Sequence, residues 1–194
     1  NPKVPVHSLN ELIELCRAQP GKINFASSGF GAAAHLAGEL FKAEAQVNIV
    51  HVPYKGAAPA LQDVIAGNDQ MMFATAASVI SHIKSGQVRA LAVTTLKRTA
   101  ILPDVPTMDE AGLKGFEAST WHGLVAPTGT PPGIIAKLHD VAVTALHDPA
   151  VKASLDRLGV DIVADTPDEF KAYIAKEVPK WAEVVKVSGA HVDK

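Results

Sequence analysis

"INFASSGFGAAAHLAGEL", residues 23–40, decides the fold. A short strand pattern runs into a turn of small residues, Ser27, Ser28, Gly29 and Gly31, and the alanine-rich stretch after it is a good helix former. Gly29, Gly31 and Ala34 satisfy the spacing G-x-G-x-x-A of a dinucleotide-binding turn. That fingerprint also needs a carboxylate about twenty positions on, to hold a ribose. His51, Val52, Pro53 and Tyr54 stand there instead, so a bare glycine spacing remains. The glycines still let backbone approach a ligand closely, and they open a helix whose first N–H groups lack internal acceptors. Those donors and the helix dipole favour a small anionic group such as a carboxylate, and Ser27 and Ser28 add hydroxyls. The plain alternative is a tight strand-to-helix turn with serine caps.

Outward from this unit, strand and helix patterns alternate. "SLNELIELCRAQP" before it is an amphipathic helix, with Ser8 as cap and Glu11 three residues on. After it come a strand in "NIVHVPY", a helix in "APALQDVIAG" stopped by Gly67, and a strand in "QMMFATA". A short helix, "SVISHIKSG", and an apolar strand, "VRALAVTT", follow. Residues 96–120 are richer in Pro and Gly and are expected to run over the surface. Strands are then expected in "HGLVAP" and "VDIVA", around helices at "GIIAKLHDVAVTALHD" and "PAVKASLDRLG". A final helix starts at Thr166-Pro167, with Pro179 expected to kink or divide it. This alternation predicts a mainly parallel, doubly wound sheet with helices on both faces. Ligands bind such sheets at the carboxyl ends of strands, where the opening stretch lies.

Two further strand exits belong to the same argument. "MFATAAS", Met72 to Ser78, ends in small residues, so Ala74, Thr75 and Ala76 expose backbone N–H groups to the same cleft if the strands are neighbours. Tyr54, Lys55 and Gly56 follow the "NIVHVPY" strand, and Lys55 reads as solvated.

Bulk properties narrow the function classes. The chain has 194 residues, 47% hydrophobic and 20% charged, enough to bury a core. A net charge of −2 with no basic cluster argues against nucleic acid and anionic membrane surfaces. One cysteine, Cys16, excludes an internal disulfide framework and reads as a small core residue. No run reaches the eighteen apolar residues of a membrane span. No signal peptide is readable, because Asn1-Pro2 opens directly into a domain pattern.

Catalytic constellations are not readable either. There is no G-x-S-x-G elbow and no H-E-x-x-H. Eight histidines are scattered (His7, His35, His51, His82, His122, His139, His147, His191), and His139 and His147 lie too far apart on one helix to share a metal. His35, in the first turns after the glycines, could reach a ligand, or serve as a partly buried helix residue with one partner. Asp63 and Asp69 lack a matching acid–base partner. The chain reads as a binder with no cofactor and no metal.

"GKINFASSGFGAAAHLAGELF", "HVPYKGAAPALQDVIAG", "MMFATAASVISHIKSGQVRALAVTT", "LPDVPTMDEAGLKGFEASTWHGLVAPTGTPPGIIAKL" and "KWAEVVK" occur in this order and cover nearly the whole chain. Together they resemble the Bug, or TctC, family of extracytoplasmic solute receptors of tripartite tricarboxylate transporters. The resemblance implies a type II periplasmic-binding-protein-like fold of two α/β lobes closing on a small mono- or dicarboxylate. It implies a periplasmic location, delivery to two transporter membrane subunits or to a sensor, and no catalysis. On it, Ser27, Ser28, Gly29, Phe30, Gly31 and Ala32 form the carboxylate-binding turn of the second lobe. Ala32 stands where relatives often carry serine. Ala74 stands where many carry an aspartate suited to an ammonium group, which argues against an amino-acid ligand. The family's first-lobe opening strand and turn have no counterpart here. Residues 1–119 then correspond to a second lobe, and residues 120–194 to a segment returning to the first lobe, incomplete here. That segment should expose apolar surface unless a partner copy or another fragment covers it. The rival readings are a nucleotide-dependent Rossmann-type enzyme and an orphan module that only forms a homodimer.

Overall fold

A computed structural model describes residues 1–190; His191 lies outside the described residues. The chain runs α1 (Leu9–Ala18), β1 (Asn24–Ser27), α2 (Ala33–Ala45), β2 (Val50–Pro53), α3 (Ala57–Ala66), β3 (Met71–Met72) and α4 (Ala76–Lys84), and ends in α5 (Pro132–Leu146), α6 (Pro149–Arg157) and α7 (Pro167–Ser188). The three strands form one parallel sheet in the order β2-β1-β3. Phe25 pairs with His51 on one side and Met71 on the other, so the central strand is the one that opens the Ser27–Ala32 turn.

Neighbouring residues of β1 serve opposite faces, as a pleated strand requires. Phe25 enters the main core with Leu12, Cys16, Phe41 and Ile49. Ala26 enters a smaller core under α3, with Ala60 and Val64. Helices therefore cover both faces of the sheet, as the alternation predicts. Cys16 is fully buried, and burial pushes its thiol up to about 11, which makes it a packing residue without reactivity.

Several expected elements differ. "VRALAVTT" forms no strand; Val93 makes a single parallel bridge to Thr107, and the Thr94 and Ala118 backbones bond to each other. The Pro/Gly-rich stretch does not merely run over the surface. Thr107, Met108 and Phe116 from it are buried, and Met108 and Phe116 join the main core. A capping exchange folds it back: Glu110 N–H donates to Thr107 Oγ1, and Thr107 N–H donates to Glu110 Oε2. "HGLVAP" and "VDIVA" form no strands either. Their apolar side chains stand in solvent, Leu124 at 83%, Val125 at 84% and Val163 at 78% exposure. A strand exists only as part of a ladder, and no neighbour pairs with these runs among the described residues.

Pro179 lies inside α7 and does not divide it. Glu177 before it and Val184 after it are both buried, with Trp181 packed on the main core, so contacts on either side of the proline hold one continuous helix. The capping box of α7 forms as expected at Thr166 and Glu169. At α1, Ser8 caps Glu11 N–H, while the Glu11 carboxylate accepts from His7 N–H one residue further back.

Candidate functional site

Because β1, β2 and β3 are parallel neighbours, their carboxyl ends emerge at one edge of the sheet. Ser27 to Ala32 leave β1, Tyr54 to Gly56 leave β2, and Phe73 to Thr75 leave β3. Each exit leads directly into a helix. The N-cap residues of those helices are Ala32, Gly56 and Thr75, and none supplies a side-chain cap. By contrast, Ser8, Asp148 and Thr166 cap α1, α6 and α7 through their side chains. Pro59 gives α3 no third N–H and the Ser78 N–H of α4 bonds to the Thr75 carbonyl, but no side chain caps the other first N–H groups of α2, α3 and α4 at the edge where the sheet exits gather.

The first turn depends on glycine at two places. Gly29 has φ +135° and Gly31 φ +70°, conformations that L side chains rarely adopt. A β-carbon on Gly29 would also stand 3.4 Å from the Tyr54 carbonyl oxygen, so the β1 and β2 exits lie close together. Ser27 is fully buried beneath the turn. Its Oγ accepts from Gly29 N–H at 3.2 Å, lies 3.1 Å from the Gly29 carbonyl and 2.6 Å from His51 Nε2. Ser28, Gly31 and Ala32 are half-buried, while Phe30, Ala74 and Thr75 are exposed and Ala76 half-buried.

His35 is also buried under the turn, and its Nδ1 accepts from Gly31 N–H at 3.1 Å. Its ring stacks on that of His51, centroids 3.8 Å apart and 11° from parallel. Phe25 lies against His51 at 4.9 Å. Phe30 stands edge-on to both imidazoles, at 5.6 and 5.2 Å. Glu39 Oε1 is 3.8 Å from His35 Nε2, and its carboxylate is held by Lys42 at 2.8 Å. Burial lowers both imidazoles, His51 to about 4 with further help from His35 and Lys42.

Sequence reasoning missed three features here. His51 sits sixteen residues from His35, a spacing without meaning until β2 pairs with β1. Asp63 and Asp69, unpaired by spacing, both meet the Tyr54 hydroxyl at 2.6 Å. That contact, with Asp63 foremost, pushes the phenol above its usual range and ties the β2 exit to the end of α3. Gly38, inside α2, is the glycine that brings helix and strand together, since a β-carbon there would overlap the Phe25 ring.

Lys55 is exposed, as its solvated reading expects. The end of β2 carries Pro53 and no carboxylate, which leaves the glycine spacing without the acidic residue a dinucleotide site requires. Among the described residues no three His, Cys, Asp or Glu side chains gather as a metal site, and no helix is long and apolar enough to cross a membrane. A hollow of about 450 Å³ lies elsewhere, between α5 and the start of α7, lined by Thr130, Ile135, His139 and Pro167 among others. None of the strand exits contributes to it.

A family model for the tripartite tricarboxylate transporter family receptor matches residues 1–190. BugT of Bordetella pertussis is 40% identical over 98% of this chain, and the chain spans 58% of that relative's length. Rpa4515 of Rhodopseudomonas palustris, solved with adipate, superposes with a TM-score of 0.80 at 33% identity, covering 96% of this chain and 62% of that one. MatC from the same organism, solved with bound malate, gives a TM-score of 0.74 at 30% identity over 95% of this chain and 64% of that one. The family and these neighbours are solute-binding receptors and not enzymes. With the family model matching residues 1–190 and the parallel α/β core superposing on these solved neighbours, the chain belongs to the tripartite tricarboxylate transporter receptor family.

Proposed function

We propose that this chain carries the ligand-holding lobe of a periplasmic receptor for a small mono- or dicarboxylate. The observation that carries the reading is the set of helix starts at Ala32, Gly56 and Thr75, which open at one sheet edge without side-chain caps. Backbone N–H groups and aligned helix dipoles there suit a carboxylate. Direct contacts come from Ser28, Phe30 and Ala32 of the first turn and Ala74, Thr75 and Ala76 of the second, while Gly29 and Gly31, whose N–H groups already donate to Ser27 Oγ and His35 Nδ1, shape the first turn. Ser27 and His35, both buried, support the first turn from beneath. The solved neighbours with adipate and malate support the ligand class. Ala74 offers no partner to an ammonium group, which favours simple acids over amino acids.

Residues 1–119 form this lobe, with α7 packed on its core through Trp181 and Val184, and the rest of the second segment contributes to a first lobe whose remainder corresponds to relatives' length that this chain does not span. The receptor delivers its ligand to the membrane subunits of a tripartite tricarboxylate-type transporter. The exposed Leu124, Val125 and Val163 favour a covering partner on the second segment, and a homodimer is the competing way to cover them.

Calorimetric titration with adipate, malate and NAD tests the reading. Saturable heat with either acid and none with NAD is expected. NAD binding without acid binding would restore the Rossmann alternative. Gly31→Asp places a carboxylate at the start of α2 and should abolish acid binding; unchanged affinity in that variant would move the site elsewhere.

A further inference from the structure

We infer that His35 and His51 are positioning residues that hold the Ser27–Gly31 turn in its binding conformation only while His35 is neutral, so that acidification releases the turn and weakens carboxylate capture. The inference rests on the carboxylate reading for its ligand, and on geometry alone for the latch.

Each imidazole pins one part of the turn from beneath. His51 Nε2 meets Ser27 Oγ at 2.6 Å, and that oxygen accepts from Gly29 N–H. His35 Nδ1 accepts from Gly31 N–H at 3.1 Å. An imidazole nitrogen accepts only when it carries no proton, so the neutral His35 ring bears its proton on Nε2, the side of Glu39. Protonating Nδ1 would set two N–H donors against each other, and the Gly31 contact cannot survive that. The His51 contact with Ser27 survives either state, because the serine oxygen can accept as well as donate. His35 is therefore the sensitive member, and His51 is the platform beneath it.

The surroundings make the charge costly. His35 is 3% exposed, and His51 stacks on it at 3.8 Å, too close for both rings to ionise together. From α2, the charged groups facing the pair are Glu39 and Lys42, which hold each other at 2.8 Å. From β1 come Phe25 and Ser27, and from the turn Phe30, all uncharged. On α7, which packs on α2, Lys180 pairs with Glu177 and acts on Glu44. An imidazolium here has only Glu39 to compensate it, and Glu39 already has a cation. Burial lowers both rings accordingly.

The test uses the isotopically labelled full chain between pH 7.5 and 5, with and without adipate, in wild type, His35→Ala and His35→Asn. An asparagine side-chain oxygen can take the place of Nδ1 as an acceptor and does not titrate. In wild type the Gly31 amide resonance should move with the protonation of His35, and adipate affinity should fall below that midpoint by up to about tenfold per pH unit, the limit for one coupled proton. His35→Ala should bind weakly at every pH, and His35→Asn should recover binding. Protonation of adipate itself weakens wild type and His35→Asn alike, so the steeper fall in wild type is the decisive difference. A Gly31 amide that ignores His35 protonation overturns the latch. So does affinity that rises on acidification, which would mean that the imidazolium attracts the anion more than it disturbs the turn. Absence of adipate binding at every pH would count against the carboxylate reading, and the Gly31 amide would still decide the latch.

Discussion

Gly38 of α2 packs its backbone directly on the ring of Phe25 in the central strand, with no room for a β-carbon between them. Phe25 is fully buried and pairs with His51 across the sheet, so this contact sets how far α2 stands from the strand that carries the Ser27–Ala32 turn. Alanine is the better helix former by about 1 kcal/mol, and on an exposed helix Gly38→Ala would stabilise. Here the added methyl must displace the ring or the helix, at a typical cost of about 1–3 kcal/mol. We expect Gly38→Ala to lower the urea midpoint in spite of its higher helix propensity. A midpoint at or above wild type would mean that the helix shifts at no cost.

This contact also marks the limit of what the sequence makes legible. The strand–turn–helix unit at residues 23–40 can be read directly, because apolar periodicity and glycine placement are local signals. Its position at the central strand follows from the parallel order, and the neighbour relation of the "MFATAAS" exit is as expected. The roles of individual residues are another matter. Ser27 reads as a hydroxyl for the ligand or a helix cap, yet it is fully buried and bonds to Gly29 and His51. His51 and Gly38 gain meaning only through the β1–β2 register and the closeness of α2, both long-range facts. The runs at 88–95, 122–127 and 160–164 have strand-like composition, but composition supplies no ladder partner. Glu110 and Thr107 fold a Pro/Gly-rich stretch into the core by side chain–backbone exchange, which hydropathy does not report.

Tyr54 is the second structural prediction. Its hydroxyl lies 2.6 Å from one oxygen of Asp63 and 2.6 Å from one of the buried Asp69. Tyr54→Phe keeps the ring and removes the donor between two carboxylates. A buried acceptor then loses its partner, a change worth about 1–3 kcal/mol. The denaturation midpoint should fall accordingly, and the Tyr54–Gly56 exit should exchange its amides faster. Asp69→Asn in the same background should recover part of the loss by removing one charge. A neutral Tyr54→Phe would show that water replaces the hydroxyl without cost.

The apolar face of the second segment gives a third. Leu124, Val125 and Val163 are more than three-quarters exposed, at 83%, 84% and 78%, and contribute little to the fold of this chain. Leu124→Ser with Val125→Thr should leave the unfolding free energy within about 0.5 kcal/mol of wild type, as for ordinary surface changes. The same pair should lower the fluorescence of a dye that reports exposed apolar surface. If the native chain already dimerises through this face, dye binding will be low from the start, and the double variant will shift the sedimentation profile to monomer.

The buried imidazoles make a fourth prediction, on stability against pH. A histidine whose folded pKa lies below its unfolded value of about 6.5 binds more protons when unfolded. Its stabilising effect is complete above that value and is lost as pH falls toward the folded pKa. For His51 that value is about 4, set first by burial, then by His35 and Lys42, and His35 is lowered in the same direction. The histidine contribution should therefore be level from pH 8 to 7 and decline from about 6.5 downward, by at most about 1.4 kcal/mol per pH unit for each histidine. Asp109, Glu110 and Glu169 are held low by backbone N–H donors, so their contributions fade only at more acidic pH. Urea midpoints at pH 7.5, 6.5, 5.5 and 4.5 separate the two regimes. His51→Phe preserves a ring on Phe25 and removes one titrating group, so its curve should fall less steeply between pH 6.5 and 4.5. A wild-type curve that stays level down to pH 4.5 would show that the stacked pair takes up protons without penalty, and the account of a neutral pair beneath the turn would fail with it.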